Sequence, residues 1–348
     1  MALTIGSTPA TGVYVTPESG PPVPATGVYV GEVLAWPTPS AIGFAQDGSL
    51  WNATDATVDA HAQAVKRMGG EWIRITVTWR DLNTTRGTYD WSKLERQISA
   101  AKKYGLKILL LSLGNAPTWS WNGLQGDPGD YGVFNQAMAT RFRGEIHAIE
   151  LWNEPNLSRF WPVPVDPADY IQYLRKGYEG IKAAAPEITV VSAGLSPAVT
   201  ARDAQGRLET IAPLEYLNGL LSRGGANYMD AIGWHPYCWP SVPGAGEDWS
   251  AWTQMEQAMA QMKQAGINKP IWITEFGAPT DGGANAMTEA GQWDSILRAF
   301  RIVRGRADFG PVFIYQAIDS PGVSGTESHF GLVTTGGAQK LSSKRLGY

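Results

Sequence analysis

The chain has 348 residues, of which 43% are hydrophobic and 17% charged, and its 28 basic and 32 acidic side chains leave a formal net charge of -4. This is the composition of a globular domain, and without a Lys/Arg block it argues against nucleic acid or an anionic membrane as partner. No apolar run is long enough to span a membrane, and the single cysteine, Cys238, has no intrachain partner for a disulfide.

Residues 1–40 stand apart, being rich in Pro, Gly, Thr and Val. Pro9-Ala10-Thr11-Gly12-Val13-Tyr14-Val15 recurs as Pro24-Ala25-Thr26-Gly27-Val28-Tyr29-Val30, a period of 15 residues. The Val-Tyr-Val triplets are β-prone, and the Pro and Gly flanks forbid long elements. The segment reads either as a flexible linker or as an arm that adds short strands to a partner protein or to its own oligomer. The first residues lack the basic start and apolar stretch of a signal peptide.

From residue 41 the pattern alternates. Strand-like apolar runs fall at 41–46, 71–79, 106–113, 146–153, 188–194, 230–236, 270–276 and 311–318. Helical spacing with start and stop signals falls at 57–68, 91–104, 167–185, 211–223, 249–265 and 288–304. Eight strands alternating with helices predict parallel βαβ units, and eight is the number that closes a barrel. The expected fold is therefore α/β, a (β/α)8 TIM barrel over 41–348 behind a short, extended Pro/Gly-rich N-terminal arm. A doubly wound open sheet is the competitor, but no glycine-rich phosphate turn follows the first strand. Gln339 to Tyr348 leaves room for only a short last helix.

Two of the apolar runs end in glutamate. One is Ile149-Glu150-Leu151-Trp152-Asn153-Glu154-Pro155, the other Ile271-Trp272-Ile273-Thr274-Glu275. A carboxylate at the tip of a buried strand is costly unless it is used or paired. Two of them, far apart in sequence, are what sugar-bond hydrolysis needs. In a TIM barrel the strand ends converge on one site, which gathers Arg74, Trp79, Asn115, Trp119, Trp121, Trp152, Asn153, Glu154, Trp234, His235, Tyr237, Trp239, Glu275, Tyr315 and Gln316. Glu150 is read as structural or as facing outward. The four histidines and Cys238 show no metal-ligand spacing, so neither metal nor cofactor is expected. Fifteen Trp suit stacking on sugar rings as well as a large core.

Asn153-Glu154-Pro155 after the fourth strand, Glu275 ending the seventh, Arg74 in Trp72-Ile73-Arg74-Ile75, the His235-Pro236-Tyr237 step and Phe330-Gly331-Leu332-Val333 together resemble clan A of the glycoside hydrolases. Together they look most like family 39 and its polysaccharide-degrading relatives, with family 5 next. The resemblance implies a retaining double displacement on a β-linked polysaccharide, with Glu154 as acid/base and Glu275 as nucleophile. It implies that Arg74 and Tyr237 hold Glu275, that Asn153 meets the sugar 2-hydroxyl, and that His235 positions Glu154 or the sugar. Trp79, Asn115 and Tyr315 complete the expected substrate contacts, and Trp119, Trp121, Trp152, Trp161 and Trp239 are the stacking candidates. Strand eight ends Tyr315-Gln316 where relatives often carry Trp. The rival reading is a non-catalytic carbohydrate-binding or structural barrel in a larger assembly. The repeated arm and the missing signal extend the expectation to a bacteriophage tail enzyme in the virion, acting on a bacterial envelope glycan; the alternatives are a cytoplasmic or non-classically exported protein.

Overall fold

The computed structural model describes residues 41–121, 125–321 and 324–348 in full. Before residue 41 it gives only two short antiparallel backbone pairs, Tyr14–Val15 with Val23–Pro24 and Tyr29–Val30 with Val33–Leu34. The linker and docking readings of residues 1–40 lie outside the described residues.

Eight parallel strands form the barrel: β1 (Ile42–Ala45), β2 (Trp72–Thr78), β3 (Lys107–Leu113), β4 (Ala148–Asn153), β5 (Thr189–Gly194), β6 (Ile232–Trp234), β7 (Ile271–Phe276) and β8 (Phe309–Tyr315). Each expected strand is present. β8 pairs with β1, Val312 opposite Ile42. Between β5 and β6 the barrel closes through two isolated parallel bridges, Val191 with Ala231 and Leu195 with Trp234.

Around it run α1 (Asp55–Arg67), α2 (Ser92–Lys103), α3 (Pro128–Arg141), α4 (Pro167–Ala184), α5 (Pro213–Leu221), α6 (Ala251–Gln264), α7 (Glu289–Val303) and α8 (Leu341–Arg345). Their starts follow from side-chain caps. Asp166 accepts from the Ala168 N–H with Pro167 at the first position, and Thr288 accepts from the Gly291 N–H. The last helix is short, as expected. Helix α3 lies outside the helical stretches expected from the sequence. It packs on α4 through glycine rather than through an apolar stripe: a Cβ on Gly180 would lie 2.4 Å from the Gly132 carbonyl oxygen. Backbone-to-backbone packing of this kind leaves little helical hydrophobic period to read.

The barrel interior has two layers. At the N-terminal end, Trp72, Trp272 and Phe313 plug the barrel together with Ala148, Val191 and Ala231. Trp72 meets Trp272 and Phe313 edge-on, with ring centroids 5.3 and 6.2 Å apart. Gly43 and Gly310 admit these rings, since a Cβ would lie 2.4 Å from Phe313 and 2.2 Å from Trp272. The C-terminal layer is polar and opens into a cleft.

Candidate active site

Strand alternation alone does not deliver the two glutamates. On β4, Ala148 and Glu150 point inward, so strict period-two geometry sends Trp152 inward next. Instead Trp152 takes a left-handed φ of 80° and Glu154 one of 45°, conformations that cost a bulky residue on the order of 1–2 kcal/mol each. The indole turns outward, against Trp161 at 5.0 Å and Tyr131 at 5.6 Å. It fills the space over Gly114, where a Cβ would stand 1.6 Å from the ring. Asn153 and Glu154 then both face the cleft. On β7 the register slips between Ile273 and Phe276, so Thr274 and Glu275 both turn inward while Phe276 joins the outer core.

Arg74, 1% exposed, sits at the centre. Its Nε donates to Glu150 Oε2 at 2.6 Å, Nη1 to Glu275 Oε1 at 2.6 Å and Nη2 to Asn153 Oδ1 at 3.0 Å. A planar fork that never loses its charge suits three such acceptors. Glu150 is fully buried beneath it, structural and inward-facing, which corrects the outward alternative. Tyr237 donates its hydroxyl to Glu275 Oε2 at 2.9 Å. His235 Nδ1 lies 2.8 Å from Glu154 Oε1 and its Nε2 3.1 Å from Thr274 Oγ1. One oxygen of Glu154, one ring nitrogen of His235 and one oxygen of Glu275 all lie within 4.8 Å of one another. These three could each offer a ligand to a cation, but the Arg74 guanidinium already holds one Glu275 oxygen.

The hydrogen bonds count the protons. Thr274 donates its hydroxyl to Glu150 Oε1 at 2.8 Å, so it meets His235 Nε2 only as an acceptor, and Nε2 carries a hydrogen. Nδ1 and Glu154 then share one proton, whichever holds it. Gly194 gives the ring room, because a Cβ there would lie 2.1 Å from Nε2. Burial pushes the Glu275 carboxyl up, but the charges of His235 and Arg74 and the hydrogen bonds from Tyr237 and Arg74 hold it below its ordinary value. Burial pushes His235 down, and the nearby Glu275 and Glu154 more than reverse that.

The cleft, about 570 Å³, is lined by Arg74, Asn153, Glu154, Tyr237, Trp239, Glu275 and Tyr315 among the expected residues. His235 stands behind Glu154, fully buried. The other aromatic expectations land elsewhere. Trp79, Trp152, Trp161 and Trp234 are buried in the outer core. Trp119 is half-buried and donates to the Asn83 carbonyl. Trp121 is exposed and Asn115 lies at the surface, neither lining the cleft. The walls are completed by residues not anticipated, including Asp47, Arg159, Phe160, Trp249, Ser320 and Glu327. They sit on loops scattered through the chain and share no pattern that could have marked them.

A family model for Cellulase (glycosyl hydrolase family 5) matches residues 36–310. No curated protein sequence matches the chain significantly. Among solved structures, a family 39 glycoside hydrolase from Bacteroides cellulosilyticus WH2 is similar at 19% identity and TM-score 0.68, covering 88% of this chain and 62% of that one. The exo-beta-1,4-mannosidase Op5Man5 from Opitutaceae bacterium strain TAV5 is similar at 16% identity and TM-score 0.59, covering 88% and 58%. GH5_18 from Streptomyces cattleya, in complex with Manb1-4GlcNAc, is similar at 15% identity and TM-score 0.62, covering 90% and 79%. The chain thus spans about three fifths of the length of the first two structures. At these identities the likeness is one of fold. Among the described residues no helix is long and apolar enough to cross a membrane.

Proposed function

The chain belongs to glycosyl hydrolase family 5, and on that premise we propose that it cleaves a β-linked glycan with retention of configuration, Glu275 as nucleophile and Glu154 as acid/base. The observation that carries this is spacing. Glu154 and Glu275 have oxygens within 4.8 Å, a close approach that fits the short carboxyl separation, about 5–5.5 Å, of retaining enzymes. A β linkage is supported by two of the similar structures, one a beta-1,4-mannosidase and one holding Manb1-4GlcNAc.

The steps follow from the hydrogen bonds. Arg74 and Tyr237 hold Glu275 ionised and aimed, one on each oxygen. Its free lone pairs attack the anomeric carbon and form a glycosyl ester. The departing oxygen takes the proton shared by Glu154 and His235. Glu154, now ionised, then draws a proton from water, which attacks the ester and frees Glu275. Asn153 gives its amide oxygen to Arg74, so its N–H donors remain for the sugar 2-hydroxyl.

The test is reducing-sugar release from β-glucans, xylan, mannan and bacterial envelope polysaccharides, followed by proton NMR of the first-formed anomer. A β product, absent with Glu275→Gln, is expected, and an α product appearing first would sink the retaining mechanism. Placement in a phage tail is proposed from the repeat within residues 9–30. Co-purification of the full chain with tail particles, lost when residues 1–40 are removed, is its test.

A further inference from the structure

Strand β8 ends in Tyr315-Gln316, and beyond it a chain of hydrogen bonds crosses to β1. Gln316 Nε2 donates to Ser320 Oγ, and the Ser320 hydroxyl donates to Oδ2 of Asp47. Asp47 Oδ1 accepts from the Ser49 N–H at 2.8 Å. β1 and β8 are paired neighbours, Tyr315 opposite Ala45, so these loops leave the barrel side by side. The loop is moored next door, where buried Lys340 donates to Asp319 Oδ1 at 2.8 Å and to the His329 carbonyl at 3.1 Å. Gln316 and Ser320 are buried, while half-buried Asp47 lines the same cleft as Glu275 and Tyr315.

We propose that Asp47 anchors a vicinal diol of the sugar seated at Glu275, so that the site takes the non-reducing terminal residue of a β-linked glycan with those hydroxyls free. The inference rests on the glycosidase reading above. A carboxylate offers about four lone-pair sites. Ser49 and Ser320 use one on each oxygen, which leaves one on each, the pattern two adjacent hydroxyls require. Both existing partners are uncharged, so the anion keeps its strength as an acceptor. Direction agrees. Around the barrel from β7, which bears Glu275, Glu154 on β4 lies one way and Asp47 beyond β1 the other. A leaving group served by Glu154 points to the β4 side, and the hydroxyls far from the anomeric carbon point to Asp47. Tyr315 stands in the same cleft as a hydroxyl donor, its phenol pushed up by burial and by the Glu275 and Asp47 charges. Ser320 and Gln316 are positioning residues, because their chain of donors fixes the rotation of the Asp47 carboxylate.

The experiment compares para-nitrophenyl β-glycosides of glucose, mannose and xylose with their monodeoxy counterparts lacking one distal hydroxyl. kcat/KM is measured for turnover, and calorimetry on Glu275→Gln gives binding without turnover. The parent glycoside is expected to beat the deoxy form by about 100-fold in the native enzyme, the size of one hydrogen bond to a charged acceptor, and to bind more tightly to Glu275→Gln. Asp47→Asn is expected to lose most of that ratio, by lowering kcat/KM for the parent while leaving the deoxy compound almost untouched. Ser320→Ala is expected to shrink the ratio partly, and Ser320→Thr to restore it. Equal turnover or binding of parent and deoxy forms would overturn the assignment. So would an Asp47→Asn loss that falls on both substrates alike, the mark of a merely structural residue, or failure of every glycoside to bind. Selective binding of the parent without any turnover would keep the diol anchor and remove the catalytic reading instead.

Discussion

Trp72 and Arg74 stand two residues apart on the inward face of β2, and so do Trp272 and Thr274 on β7 and Ala148 and Glu150 on β4. The lower member of each pair belongs to an apolar plug, the upper to a charged network. The plug is packed by apolar contact, with one register shift of its own between Ile271 and Ile273. The network needs two left-handed residues, a register slip and a completed set of hydrogen bonds. The difference is one of purpose: the lower end stabilises the barrel, and the upper end accepts strain and buried charge in return for aimed groups.

The largest expected effect separates the two ends most sharply. Glu275→Gln is expected to lower kcat by roughly 10^4-fold or more while moving the melting temperature little, because Arg74 keeps Glu150. A stable variant with near-native activity would break the comparison at its upper end. Next come two variants of similar thermodynamic size. Trp272→Ala should cost about 3–5 kcal/mol by leaving a cavity, with kcat per folded molecule unchanged. Glu150→Ala should cost about 3–5 kcal/mol by leaving Arg74 under-paired, and it should also abolish turnover as the guanidinium reorients. Chemical denaturation alongside active-site titration distinguishes them.

A smaller effect tests the proton count. Thr274→Val removes the acceptor of His235 Nε2–H. Activity should fall about tenfold, and the basic limb of the pH–rate profile should move to lower pH as the Glu154–His235 pair releases its proton more readily. An unmoved limb would show that Thr274 does not fix the ring. The smallest effect is on stability. Glu275 is held below its ordinary value of 4.5, so its contribution is present above that value and is lost as pH falls through the folded one. His235 is raised above 6.5, so its contribution is present below that value and is lost as pH rises through the folded one. The joint contribution of Glu275 and His235 to the melting temperature should therefore be greatest between about pH 4.5 and 6.5. Glu275→Gln should flatten the acid side of that peak.

What could be read from the sequence follows the same division. The eight strands and most helices announce themselves through period and caps, because burial against a layer imposes those patterns. Glu154 and Glu275 stand out as carboxylates where apolar residues belong. Trp152 does not behave as its parity suggests, since one backbone angle decides its side. Trp79, Trp152, Trp161 and Trp234 went to the outer core, where large rings bury more area than a sugar could cover. Asp47, Arg159 and Ser320 carry no local signal, and only the folded barrel brings them to one cleft.

The separations within the Arg74 network have a consequence for synthesis. Glu150 follows Arg74 by 76 residues and Glu275 follows it by 201. At ~5–20 residues per second, the interval between the two partners is on the order of ten seconds. For that time the nascent chain carries Arg74 and Glu150 with Glu275 still unmade. Glu150 is the partner available during the wait. By chain order, the first carboxylate partner of the buried guanidinium is thus made before β7.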